Sequence, residues 1–290
     1  MDKLEALAAK NLLRPAGDLD VLLWYSLAAR RLTKFLKGKE IAAKNWIPNY
    51  RPLLKRGSDM PPLFVDDLAE VVTPEFLELR KLHLEEARPK LSKKQELAWK
   101  YFVPRKLSDL LYATNNEKPG KPIERVFLDL DRGEGVTPQQ AQKAAAALLQ
   151  ETRDLPYKHD QLVCWTGNSF HLFLLLQKPV PASEYQKTIS PLVAEWAGKV
   201  AKDTGLKVAW GHEKTKGVLT LDPSQTPSGK LCRAPFSLHV KNNGIDGVDV
   251  PLTAKDLERP SLVRELQSLT PEKVYKKLDF HAAKLPQRFR

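Results

Sequence analysis

A run of β-forming, apolar residues that ends in acid constrains this chain more than any other feature. Ile123 to Leu130 (IERVFLDL) predicts a largely buried strand, and Asp129 and Asp131 stand at its close. A period of two puts both carboxylates on one face, a few ångströms apart. Carboxylates so close repel each other unless a cation sits between them, which is the requirement of a hard-metal site. A solvated strand end is the plainer reading, since Arg132-Gly133 follows and Asp often starts a turn.

The residues around this run supply the other elements of a small sheet. Thr137-Pro138-Gln139-Gln140 is a capping box that opens a helix to about residue 153. Gln161 to Trp165 and His171 to Gln177 predict two strands about the tight connection TGNSF. Ser183-Glu184-Tyr185-Gln186 is a second capping box, starting a helix to about Thr204, and Val218 to Leu221 predicts a further strand. The order strand, helix, strand, strand, helix, strand is the split βαβ plan, the wiring of an RNA-recognition motif (RRM). Residues 1 to 100 read as mainly helical, with Thr73-Pro74-Glu75 predicting a helix from about 74 to 88.

Charge points to the class of partner. The 290 residues hold 47 Lys+Arg against 35 Asp+Glu, a net +12 that divides evenly between residues 1–120 and 121–290. Such a spread suits a polyanion followed along its length, although each basic patch also reads as a solvated helix face. No apolar run reaches membrane-spanning length and the N-terminus lacks the pattern of a signal peptide, so a cytoplasmic protein is expected. Two cysteines, Cys164 and Cys232, exclude a disulfide scaffold and a four-cysteine zinc site.

Three more constellations carry chemistry. Ser169-Phe170-His171 opens the third strand, which the split βαβ plan lays antiparallel to the first and so beside the two aspartates. Gly167 and Asn168 form a turn whose N–H groups suit an anion, or simply a hairpin. Asp222 closes VLTLD as a third acid, or serves as a turn aspartate before Pro223. Arg233, His239 and Lys241 surround a short strand just beyond it; they suit a triphosphate, or form a basic loop.

Together, Asp129-x-Asp131, Ser169-x-His171 and Asp222 resemble the three motifs of the archaeo-eukaryotic primase superfamily. The run LCRAPFSLHVKNNG, residues 231–244, resembles the stretch after the third acid in the small catalytic subunit of DNA primase. The resemblance covers roughly residues 105–255. It implies an α+β fold: an RRM-like catalytic core with an added αβ layer, preceded by the helical N-terminal region. Residues 1–100, 101–260 and 261–290 are then a helical region, a catalytic domain and a helical basic segment. It further implies Asp129, Asp131 and Asp222 as ligands of two Mg²⁺ or Mn²⁺ ions. Ser169, His171, Arg233, His239 and Lys241 would then contact the nucleotide's phosphates. No zinc is expected, a departure from primase subunits that carry a cysteine and histidine cluster.

The implied activity is that of a DNA primase or primase-polymerase, a template-dependent nucleotidyltransferase joining NTPs or dNTPs. Its expected partners are single-stranded DNA template and primer, with a helicase or large primase subunit as a replication partner. Trp46, Trp99, Tyr101 and Phe102 are candidate template contacts or core residues. An end-joining repair polymerase of the same superfamily is the alternative. More distant are a haloacid-dehalogenase-like phosphotransferase, which wants Thr or Val at position 133, and a non-catalytic RRM-like nucleic-acid binder.

Overall fold

The computed structural model describes residues 3–11, 21–241 and 244–290, so Asn242 and Asn243 of the basic run lie outside the described residues. Strands form well before residue 122, because a sheet is there to receive residues of modest β propensity. β1 (Glu40–Asn45), β2 (Leu53–Lys55), β3 (Leu63–Phe64) and β4 (Ser108–Ala113) are joined in one antiparallel sheet centred on β1. Helices α1 (Lys3–Asn11), α2 (Val21–Leu32), α3 (Val65–Val71), α4 (Pro74–Leu79), α5 (Leu84–Ala87) and α6 (Lys93–Tyr101) accompany it. The first hundred residues are thus rich in helix as expected, but they also contribute three strands. The pairing of β1 with β4 crosses the expected border between residues 100 and 101.

Thr73 caps α4 as its sequence predicts, its Oγ1 accepting from the Phe76 N–H at 3.1 Å. The helix predicted to about 88 instead breaks after Leu79. There the buried Arg80 guanidinium donates to the Phe102 carbonyl and lies over the rings of Phe76 and Trp99. That contact is tertiary and leaves no mark on local sequence.

The predicted split βαβ unit is β5 (Ile123–Arg132), α7 (Pro138–Glu151), β6 (His159–Trp165), β7 (Phe170–Val180), α8 (Ser190–Thr204) and, after the short β8 (Val208–Trp210), β9 (Leu219–Asp222). The capping box at Thr137 forms, with the Gln140 side chain accepting from the Thr137 N–H at 2.7 Å. The second predicted box does not. Glu184 instead accepts from the hydroxyls of Tyr157 and Thr188, and a π-helical turn over Tyr185–Ile189 leads into α8.

β10 (Leu231–Arg233) then crosses to the first sheet and pairs with β4. A hairpin of β11 (Leu238–Lys241) and β12 (Gly244–Val248) precedes β13 (Val250–Leu252). The second sheet has the order β13-β6-β7-β5-β9-β8, and β6-β7-β5-β9 are antiparallel neighbours, as split βαβ wiring requires. α7 packs on β5 and β7 and against α8. The added αβ layer is therefore the first sheet with its helices. The last segment forms α9 (Ala254–Leu257), α10 (Leu262–Gln267), α11 (Pro271–Tyr275) and α12 (Leu278–Ala282), and Arg288 beyond them pairs with Asp160 at 2.6 Å.

One aromatic cluster joins the sheets. Phe35 lies edge-on to Tyr112 of β4, Phe173 of β7 and Phe289, with ring centroids 6.1, 6.3 and 5.4 Å away. The Arg125 guanidinium of β5 stacks on Phe35 and donates to its carbonyl. Phe35→Ala removes the shared ring, so chemical denaturation should show a loss of about 3–5 kcal/mol. A loss under about 1 kcal/mol would show that the sheets are held together elsewhere.

Candidate active site

The two sheets face each other across a cleft of about 330 Å³, with Asp129 and Asp131 of β5 on one side and Lys44 of β1, Asp109 of β4 and Arg233 of β10 on the other. Strand register assembles it. Asp129 stands opposite His171 on β7 and opposite Asp222 on β9, so the sequence-predicted neighbours do meet. His171 Nε2 lies 3.5 Å from the Asp129 carboxylate. Burial favours a protonated Asp129, but His171, backed by Lys214 and Arg233, outweighs it and holds the carboxyl below its ordinary value. Asp131 goes the other way: burial and then the charge of Asp129 push it up, against the Lys214 ammonium at 2.5 Å.

Lys214 owes its place to a glycine. A Cβ on Gly133 would lie 1.8 Å from the Thr215 carbonyl oxygen, so only glycine lets the loop after β8 pass over the end of β5. Gly167 has φ +95°, and a Cβ there would lie 2.7 Å from the His239 Cβ, so the β11–β12 hairpin rests directly on the turn before β7.

The predicted phosphate contacts fare differently. Arg233 lines the cleft, donating to the Thr166 carbonyl at 3.1 Å and to His239 Nδ1 at 2.7 Å. That donor makes His239 a neutral ring, and burial with the Arg233 charge lowers its pKa to about 4, so it enters as a dipole and not as a cation. The only hydrogen of the buried Ser169 hydroxyl goes to the Leu130 carbonyl, tying the turn to β5. Lys241 is exposed at the end of β11 and does not line the cleft.

Asp222 is buried and its Oδ1 accepts from the Ser224 N–H at 2.7 Å, the turn-aspartate geometry, while its charge still reaches Asp131. Among the described residues, no group of three or more His, Cys, Asp and Glu side chains converges as a ready-made metal site. Internal partners (His171, Lys214 and the Ser224 N–H) hold the three acids instead. The donor set is nevertheless all carboxylate oxygen, which fits a hard divalent cation.

Sequence reading missed Lys44, Asp109, Lys214 and Asp249. Lys44 and Asp109 face each other across β1 and β4; the sequence reads the first as part of the helical region and predicts no strand at the second. Asp109 is pushed up by burial and steadied by Arg233 at 3.6 Å and the Trp46 indole at 3.2 Å. Lys214 and Asp249 sit in stretches rich in charge, where spacing alone singles out neither. Of the four aromatics that could be template contacts or core, Trp99, Tyr101 and Phe102 are core residues, and Trp46 borders the cleft through its bond to Asp109. Cys164 and Cys232 are buried in β6 and β10, and burial pushes both thiols up.

No protein-family model matches the chain, and no curated protein matches it either. Among solved structures, the polymerase domain of Mycobacterium tuberculosis Ligase D in complex with DNA superposes with a TM-score of 0.58 at 18% identity, over 92% of each chain. The chain has the fold of that polymerase domain. At 92% of the chain, the match extends well beyond the RRM-like core. No described helix is long and apolar enough to cross a membrane.

Lys214→Ala leaves burial and Asp129 acting on Asp131 without their main opponent. The Asp131 carboxyl should then titrate at higher pH than in the unmodified protein, read by carbon NMR of the side chain. An unchanged titration would show that the ion pair does not persist in solution.

Proposed function

We propose that this protein is a primase or primase-polymerase, a template-dependent nucleotidyltransferase acting in the cleft between its two sheets. The observation that carries the reading is the placement of Asp129 and Asp131 beside His171, facing Lys44 and Arg233, in a polymerase-domain fold. Asp129 and Asp131, with Asp222 on the adjacent strand, would hold Mg²⁺ or Mn²⁺. Bound there, the metal would lower the pKa of the primer 3′-hydroxyl and stabilise charge on the attacking and leaving oxygens. Lys214 would release Asp131 for this role.

The residues of the chain do the rest. His171 Nε2 faces the cleft beside Asp129 and suits a phosphate oxygen of the incoming nucleotide. Arg233 and Lys44 supply positive charge opposite, where pyrophosphate would leave after the 3′-oxygen displaces it from the α-phosphorus. Tyr50, Leu53 and Leu54, exposed around the β1–β2 hairpin next to Lys44, suit the bases of a single-stranded template. The even spread of the +12 charge suits its backbone.

A gap-filling, end-joining polymerase remains the second reading, favoured by the similarity to a domain of a ligase. Unprimed synthesis supports the primase; activity confined to gapped or 5′-phosphorylated ends supports the repair enzyme. The phosphotransferase reading loses ground at Gly133, where no Thr or Val side chain fits. Against a purely binding RRM, the sheet presents acids to the cleft where aromatic stacking would be needed.

Labelled dNTPs and NTPs, incubated with unprimed single-stranded DNA and Mn²⁺ or Mg²⁺, test catalysis, priming and sugar choice together. Combined Asp129→Ala and Asp131→Ala should reduce incorporation by ~10³-fold or more while DNA affinity stays within about twofold. Extension retained by the double variant would reject the assignment.

A further inference from the structure

Behind His171 lies a carboxylate that no step above uses. Asp249, between β12 and β13, is 1% exposed. Its backbone is fixed on both sides: the N–H donates to the Ser237 carbonyl at 2.8 Å and the carbonyl accepts from the Phe236 N–H at 2.9 Å. Among the described residues, neither carboxylate oxygen has a nitrogen or oxygen hydrogen-bond partner, and neither has Nδ1 of the buried His171. These orphaned atoms face each other at 3.7 Å. The Cys164 thiol, beside Asp249, is only a weak donor.

Buried polar atoms without partners are costly, and here each one's natural partner is the other. The ring has little freedom to look elsewhere. Phe127 packs against it at 4.8 Å between centroids and Phe173 at 6.3 Å, both steeply inclined to its plane. With Nδ1 directed inward, Nε2 is directed to Asp129 and the cleft. The other charged side chains acting on Asp249 are Arg233 and Asp129.

We propose that Asp249 is the positioning residue for His171, accepting a hydrogen bond from Nδ1–H and so fixing which ring nitrogen meets the nucleotide's phosphates. The proposal rests on the reading of the cleft as a nucleotide site. A modest inward shift of the ring converts the 3.7 Å contact into a hydrogen bond, since catalytic hydrogen bonds commonly tighten when substrate binds. Partners that orient a histidine in this way typically matter ten- to a hundredfold where they have been removed from metal sites. Asp249 touches no substrate and acts only through the ring.

The test combines Asp249→Leu and Asp249→Asn with His171→Ala in a double-mutant cycle. Nitrogen NMR of the His171 ring gives a readout independent of catalysis. In the unmodified protein Nδ1 should carry hydrogen, and its resonance should move in either Asp249 variant. KM for the incoming nucleotide should rise roughly tenfold in Asp249→Leu with kcat changed far less. In the His171→Ala background the same substitution should change KM by less than about twofold. A bare Nδ1 in the unmodified protein, an unchanged KM, or an equal penalty with and without His171 would overturn the proposal. If the ring shows the pairing but no nucleotide is incorporated on any template, the nucleotide reading fails and the pairing stands.

Discussion

Everything in the cleft depends on the register of β5 between two antiparallel neighbours. Asp129 is level with His171 on one side and Asp222 on the other. Because side chains alternate, a slip of one residue would send Asp129 and Asp131 to the opposite face and bring Leu130 to the cleft. Burial guards against that slip. Phe127 and Leu130 of β5, and Phe170 and Phe173 of β7, are fully buried, so the register with the best packing is also the one that assembles the acids.

The assembled charges are then kept apart or matched by the protein itself. Asp129 is paired with His171, Asp131 with Lys214, Asp109 with Arg233, and Asp222 with a backbone N–H. Burial works against each of the first three acids, and a nearby positive or polar group opposes it. Asp249 is the exception: burial raises its pKa to about 7 against the pull of His171 and Arg233, and among the described residues its oxygens find no nitrogen or oxygen hydrogen-bond partner. Two glycines keep the arrangement compact, Gly133 by admitting the Lys214 loop and Gly167 by admitting the hairpin that carries His239.

Much of the core was legible because its signals are local. The run ending at Asp131, the Thr137 capping box and the strands about TGNSF all appear where period and punctuation put them. The first sheet was not legible. β1 (EIAAKN) and β4 (SDLLYA) mix small, charged and apolar residues without clear alternation, and only their pairing makes them strands. Lys44 and Asp109 were hidden with them. The roles of Ser169 and His239 shifted for a related reason, since their hydrogen bonds run to Leu130 and Arg233, residues 39 and 6 positions away in the chain.

By itself, the sequence determined the split βαβ core and the placing of Asp129, Asp131 and His171 at its strand ends, because both rest on spacing of two along strands and on capping residues a few positions apart. Tertiary structure alone decided what stands across the cleft. Lys44 pairs with Asp109 across 65 positions of chain and Arg233 with Leu111 across 122, and Asp249 comes to lie behind His171 from another sheet edge. It also decided which basic residues face inward: Arg233 does and Lys241 does not. The physical reason is that period reports which side chains share a face, while only the packing of two sheets determines what that face meets.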